Sequence, residues 1–368
     1  MKNFFKLILG LFFLFGLIAA CLYAPDINAQ SNLKEALFYK KLDNKFVQCR
    51  LCPRQCTIPN NYRGYCGIRE NRDGILYTLS YAKPVSLHID PIEKKPLFHF
   101  LPSTTAFSIA TAGCNLKCKF CQNWEVSQKR PEEVDYIYLE PQDLVKKVKA
   151  SGSLTIAYTY TEPTIFYEYM LETARLAKEQ GIKNIMHSNG YINPEPLRQL
   201  AKYLDAANID LKGFSDDYYA KLCEGTLEPV LRSLKILKDE GVHLEITNLV
   251  ISGYNDDPAT IKKMCVWIRE NLGADIPLHF SRATPRYKLL SIIDTPVETL
   301  EKARSIALDC GLKYVYIGNV SGHPAENTYC PKCKNLLIER GGLFFVLKNN
   351  IEDGKCKFCQ EKIAGVWR

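Results

Sequence analysis

The chain has 368 residues, of which 46% are hydrophobic and 24% charged, with a formal net charge of +8. That composition belongs to a folded globular protein and excludes a disordered or low-complexity chain. Its 15 cysteines fall mostly into tight groups, unlike the dispersed cysteines of a secreted disulfide scaffold, so they read as metal ligands.

Lys2 and Lys6 lead into an uncharged run from Leu7 to Ala24, so residues 1–30 are expected to form a signal peptide or a single membrane anchor. Ile18-Ala19-Ala20-Cys21 has the form of a lipoprotein cleavage box with Cys21 as the lipidated residue. Residues 31–105 read as an N-terminal cysteine-rich module. Ser31–Tyr39 is expected to be a short helix. Cys49, Cys52, Cys56 and Cys66 follow, with Gly64, Gly67 and Gly74 as turns. Four soft ligands suit zinc or an iron–sulfur cluster, and the spacing does not separate the two. The stretch from His88 to Phe100 carries too many prolines and charges for a buried element and reads as an ordered loop. His88, Asp90, Glu93 and His99 are then either lid or substrate groups or parts of a structural loop.

From 106 to 325, short apolar runs alternate with amphipathic stretches. The runs are Phe107–Thr111, Leu154–Tyr158, Asn184–His187, Ala206–Leu211, Leu244–Ile251, Leu278–Arg282 and Tyr314–Ile317. Helices are expected over Pro141–Lys149, Thr164–Gln180, Glu195–Tyr203, Pro229–Glu240, Pro258–Asn271 and Pro296–Cys310. Pro141 is a helix-start residue and Gly181 a helix-stop residue. The repeated units predict an α/β fold built as a partial (β/α) barrel of about six strands, with a doubly wound sheet as the alternative. Cys223, Cys265 and Cys310 stand alone here and read as core residues.

Cys114, Cys118 and Cys121 form a Cys-x3-Cys-x2-Cys run. It offers three thiolates where a cubane cluster usually takes four, and an open metal position is where chemistry takes place. In the tail, 326–368, Cys330-x2-Cys333 and Cys356-x2-Cys359 flank an expected hairpin from Leu336 to Leu347 around Gly341-Gly342. This is a zinc-ribbon-like pattern for zinc, or for iron in a rubredoxin-like site.

With Phe120 before its last cysteine, the 114–121 run resembles the radical S-adenosylmethionine (SAM) signature. The region from Cys49 to Val320 resembles the radical SAM enzymes of the AmmeMemoRadiSam system, relatives of the pyruvate formate-lyase activating enzymes. The stretches that carry this are Cys49–Pro53, Asp90–Leu97, Ser108–Gln128, Tyr158–Pro163, His187–Gly190, Ile209–Lys212 and Tyr316–Val320. The resemblance implies a catalytic [4Fe–4S] cluster on Cys114, Cys118 and Cys121, with SAM on its free iron and a 5′-deoxyadenosyl radical as product. It implies Glu162 at the methionine ammonium, Ser188 and Asn189 near the SAM carboxylate, and Asp210 and Lys212 facing SAM and substrate. His279 would contact adenine or ribose, with a satisfied core histidine as the alternative reading, and Gly318 and Asn319 would contact the adenine. Tyr160 and Thr161 stand where the superfamily carries two glycines, and His187 where the formate-lyase activators carry an aspartate.

The implied partners are a low-potential electron donor such as ferredoxin or flavodoxin and the other proteins of the AmmeMemoRadiSam system. No nucleic acid is expected, because an arginine–aromatic stripe is lacking. The expected substrate is a protein or a small molecule, with activation of a glycyl-radical enzyme as one alternative. A zinc-ribbon adaptor with purely structural metals is an alternative of another class. SAM and low-potential electrons are cytoplasmic supplies, whereas the positive-inside rule places everything after Ala24 outside. No twin-arginine pair supports export of a folded metalloprotein. The membrane side therefore stays open, with a cytoplasmic protein expected if the N-terminal segment is not functional.

Overall fold

The computed structural model describes residues 33–368. The expected anchor over 1–30, including Cys21, lies outside the described residues. Among the described residues no helix is long and apolar enough to cross a membrane.

The centre is an eight-stranded sheet. Its strands are β1 (Ser86–Pro91), β2 (Thr105–Ala110), β3 (Thr155–Tyr158), β4 (Lys183–Ser188), β5 (Ala206–Asp210), β6 (His243–Val250), β7 (Leu278–Arg282) and β8 (Val315–Gly318). Their spatial order follows chain order from one edge to the other. A doubly wound sheet reverses its order at a switch point, so this winding rules that alternative out. Strands β2 to β8 are parallel, and β1 is antiparallel to β2. Among the described residues β8 makes no pairing with β1, so the barrel stays open. Seven parallel strands correct the expected count of about six.

Helices α1 (Pro141–Ala150), α2 (Tyr167–Glu179), α3 (Pro194–Ala201), α4 (Glu228–Asp239), α5 (Pro258–Asn271) and α6 (Val297–Asp309) fill the crossovers from β2 to β8. Each turns an apolar stripe inward: Leu144, Val145 and Val148 in α1, and Val230, Leu234 and Leu237 in α4, are buried. Pro at N1 or N2 starts α1, α3, α4 and α5, where its missing N–H costs no hydrogen bond.

Two expectations fail. Of the helix expected over Ser31–Tyr39, the described residues from 33 on are not helical: Lys34–Glu35 pairs with Tyr77 and Thr78, and Tyr39–Lys41 pairs with Val47–Cys49. Phe38 between them has φ 54°, which no right-handed helix accommodates. The His88–Phe100 stretch is not a plain loop either. His88 to Pro91 belong to β1, and Ile92, Leu97, Phe100 and Leu101 pack against Ala106, Ala157, Ile185 and Ala206 of the sheet. Asp90 and Lys95 are buried as an ion pair at 2.6 Å, and the exposed Lys94 reaches Asp90 from the surface at 2.8 Å. Buried charge is tolerated when so paired.

The N-terminal module docks on α2. Arg69 Nη2 reaches Glu168 Oε1 at 2.5 Å, with both side chains almost wholly buried, and Leu37 N donates to the same oxygen at 2.7 Å. The C-terminal strands Leu336–Gly341 and Phe345–Asn349 form the expected hairpin. Arg340 locks that module to the barrel, donating to the Phe98 carbonyl at 2.9 Å with its guanidinium over the Phe98 ring.

Candidate functional site

The C-terminal ends of the parallel strands open into a cavity of about 480 Å³, within the range of a small-molecule site. This is the face where sites gather on β/α barrels. Cys114, Cys118 and Cys121 line it, with Thr161, Glu162, Ser188, Asn189, Asp210, Lys212 and Asn319. The three thiols arrive on the loop after β2. That loop begins at Gly113, whose φ of +97° and position 2.5 Å from Ile68 Cγ1, measured to an ideal Cβ, admit only glycine.

Among the described residues, only Cys330, Cys333, Cys356 and Cys359 bring three or more donor atoms within 4.8 Å of one another. The Cys114, Cys118 and Cys121 sulfurs do not all lie within that distance, as ligands of separate irons need not. This fits the three-thiolate side of a cubane, with the cavity on its fourth side. Leu116 N donates to Cys114 Sγ at 3.4 Å, and Cys121 Sγ lies 3.1 Å from Ser127 Oγ. Such contacts tune a cluster's potential. Burial pushes the Cys114 thiol well up, while contact with Cys223 and then burial do the same for Cys118. Metal binding would therefore release protons here. Cys223 is core, as expected, yet it sits beside Cys118; nothing in its spacing announces that.

Glu162 is buried at the tip of β3. Its Oε1 accepts from Thr164 N at 2.9 Å and Ser188 Oγ at 2.7 Å, and its Oε2 accepts from Asn189 N at 2.8 Å. A carboxylate has about four lone-pair sites, so roughly one remains for the cavity. Burial pushes its pKa up against those donors. Ser188 thus spends its hydroxyl on orienting Glu162. Asn189 ties the turn after β4 to the cysteine loop, donating to Asn115 Oδ1 at 2.9 Å and to Cys114 Sγ at 3.7 Å.

Asp210 accepts from Lys212 at 2.9 Å and lies 3.2 Å from His187 Nε2. Burial alone would raise Asp210, but Lys212 and His187 hold it well below the usual carboxylate range. His187 therefore stands as a partner of Asp210. Tyr160, in a glycine's place, takes a glycine's backbone with φ 63°. Asn123 Nδ2 holds its carbonyl at 2.7 Å, and its hydroxyl bonds Asp90. Left-handed backbone costs a non-glycine residue about 1–3 kcal/mol, so these anchors hold a strained turn.

Two expected contacts move. His279 is not at the cavity: it is buried within β7, bonded to Glu245 Oε2 at 2.7 Å. Glu245 also accepts from Phe98 N and His99 N, so this histidine is satisfied in the barrel interior. Gly318 does not line the cavity, whereas Asn319 does; a Cβ at 318 would meet Ser281 Oγ at 2.9 Å. Asp90, Glu93 and His99 are buried structural groups. Lys94 and Lys95 line the cavity and were not singled out by residue type. Their contribution comes from the packing of the 92–101 segment, which charge patterning does not reveal.

The tail cysteines converge as expected. Cys330 lies 3.6 Å from Cys359, and Cys333 lies 3.7 Å from Cys356. Four sulfurs bound to one ion at about 2.3 Å stand roughly 3.8 Å apart in a tetrahedron, so this set matches a single-ion site.

The profile described as "Radical SAM superfamily" matches residues 108–265. An uncharacterised protein of Methanocaldococcus jannaschii is 49% identical over 334 residues, covering 90% of this chain and 99% of that protein. Pyruvate formate-lyase 1-activating enzyme of Escherichia coli is 22% identical, over 55% of this chain and 89% of that enzyme. A crystal structure of a radical SAM methyltransferase from Sphaerobacter thermophilus aligns with a TM-score of 0.48 and 13% identity, over 84% of this chain and 87% of that one. With three open-sided thiols at the mouth of a β/α sheet, the chain belongs to the radical SAM superfamily and is an S-adenosylmethionine-dependent enzyme.

Proposed function

We propose that this enzyme cleaves SAM reductively to a 5′-deoxyadenosyl radical, which abstracts hydrogen from a protein or small-molecule substrate. We further propose that it acts within an AmmeMemoRadiSam system and draws electrons from ferredoxin or flavodoxin. The observation that carries the reading is the convergence of Cys114, Cys118, Cys121 and Glu162 on one cavity. A cluster on those thiols would supply the electron and a free iron to chelate the methionine end of SAM. The chain's residues do the rest. Glu162 receives the ammonium, held in place by Ser188, Asn189 and Thr164. Asp210 and Lys212 present opposite charges to SAM and substrate from one strand end. Asn319 takes the adenine side. The walls exclude water and stray hydrogen donors from the radical.

The test is anaerobic reconstitution followed by dithionite and SAM, with 5′-deoxyadenosine measured by chromatography. A fully loaded protein that yields none refutes the proposal. The E. coli activating enzyme among the relatives supports a second reading, activation of a glycyl-radical enzyme. A glycyl-radical EPR doublet on a partner polypeptide would select it. An adaptor with purely structural metals leaves the open cavity beside three thiols without purpose, and membership of an enzyme superfamily sets it aside.

A further inference from the structure

The geometry points to a second iron–sulfur cluster, held by Cys49, Cys52, Cys56 and Cys66, in place of a single zinc ion. Cys49 ends the strand Val47–Cys49, and Cys56 leads into Thr57–Ile58. Cys49 N donates to the Cys56 carbonyl at 2.9 Å, which brings the two together. Cys66 enters from the turn before Arg69–Arg72. All four line one recess.

The spacing of the thiols separates the two metals. Four thiolates on one zinc at about 2.3 Å stand roughly 3.8 Å apart. The tail set shows this closed form, with all four sulfurs within 4.8 Å of one another. Among the described residues no three sulfurs of the N-terminal set converge so closely. Like Cys114, Cys118 and Cys121 they fall outside that limit, which suits ligands of separate metal atoms.

Two buried donors also call for an acceptor. Arg69 and Thr164 line the recess and are 2% and 1% exposed. Arg69 Nε and Thr164 Oγ1 have no hydrogen-bond partner. The guanidinium is fixed from its other side by Glu168 and the Leu37 carbonyl. A buried donor without an acceptor costs about 1–3 kcal/mol. Thiolate and sulfide sulfurs of a cluster are acceptors of this kind. The site also abuts the first one: Asn115 lines the recess, while its neighbours Cys114 and Leu116 line the main cavity.

The test is anaerobic reconstitution of the full chain carrying Cys118→Ala with ferrous iron and sulfide, followed by assay of acid-labile sulfide. Neither zinc nor rubredoxin-type iron in the tail brings labile sulfide, so the tail does not interfere. The expected result is about two to four sulfides per chain, matched by iron, and their loss when Cys52→Ala and Cys66→Ala are added. A Cys118→Ala chain without labile sulfide that binds zinc at two sites overturns the inference, as does sulfide that survives the added changes. If the triple variant does not fold, Mössbauer counting on the unaltered chain decides, since one cluster accounts for about four irons and a second adds two to four. None of these readouts needs SAM cleavage, so failure here is distinct from failure of the proposed reaction.

Discussion

Replacing Glu162 by Gln tests the cosubstrate site most directly. The carboxylate already accepts three internal hydrogen bonds, at 2.7, 2.8 and 2.9 Å. Glutamine keeps the shape but turns one oxygen into an NH2 group, which can accept neither from Asn189 N–H nor from an ammonium. Losing one hydrogen bond to a charged group costs about 1.5–3 kcal/mol. At roughly 1.4 kcal/mol per tenfold, SAM affinity should fall about 10- to 150-fold. The cluster should load normally, because Glu162 is not a ligand. Calorimetric titration of SAM into anaerobically reconstituted protein, with labile sulfide counted in parallel, reads both quantities. An unchanged Kd at equal cluster content would show that the ammonium lies elsewhere. Loss of the cluster would show instead that Glu162 holds up the cysteine loop through Asn189 and Asn115.

Cys223→Ala should keep its cluster and its 5′-deoxyadenosine yield, whereas Cys118→Ala should lose both; loss of iron from the first variant would make Cys223 a fourth ligand. His99 is wholly buried, with Nδ1 at the Ala364 carbonyl and Nε2 at the Tyr316 hydroxyl. Burial pulls its pKa from 6.5 down to about 4, with Glu245 opposing and His243 and Arg340 assisting. The unfolded chain binds this proton first, so stability is complete above pH 6.5 and about 3 kcal/mol is lost as pH falls from 6.5 to 4. Urea unfolding of the unaltered chain and of His99→Phe across that window should show the variant without this component. Tyr160→Gly should be more stable than Tyr160→Ala by about 1 kcal/mol, because only glycine relieves the left-handed backbone; the reverse order would remove strain from the account. Cys356→Ala should lose the tail metal and lower Tm, and an unchanged Tm with the metal gone would make the tail site dispensable.

Much of the barrel was legible because each helix carries its own boundary chemistry. Pro258–Asn271 and Leu278–Arg282 match to the residue. Glu162 and Asp210 came from the family resemblance, and the structure places both at the cavity. What stayed hidden depends on partners far apart in sequence. Asp90 and Lys95 look exposed until they neutralise each other inside the fold. His279 reads either as a cosubstrate contact or as a satisfied core histidine, and Glu245, 34 residues away, decides for the core by claiming its Nε2. Lys34–Glu35 reads as helical until Thr78 and Tyr77 offer it a strand edge.

Gly113 has a consequence for modularity. The superfamily profile spans 108–265, yet the loop that carries its cysteines rests on residues outside that span. Gly113 is pressed against Ile68, Arg54 Nε holds the Asn115 carbonyl at 2.5 Å, and Asn193 N holds the Leu51 carbonyl at 3.0 Å. The matched stretch is thus a unit of sequence but not of folding. A fragment trimmed to it would keep the three thiols and lose the surface against which their loop is shaped. Any transplant of this reaction onto another scaffold would have to carry the 33–105 module as part of the active site's foundation.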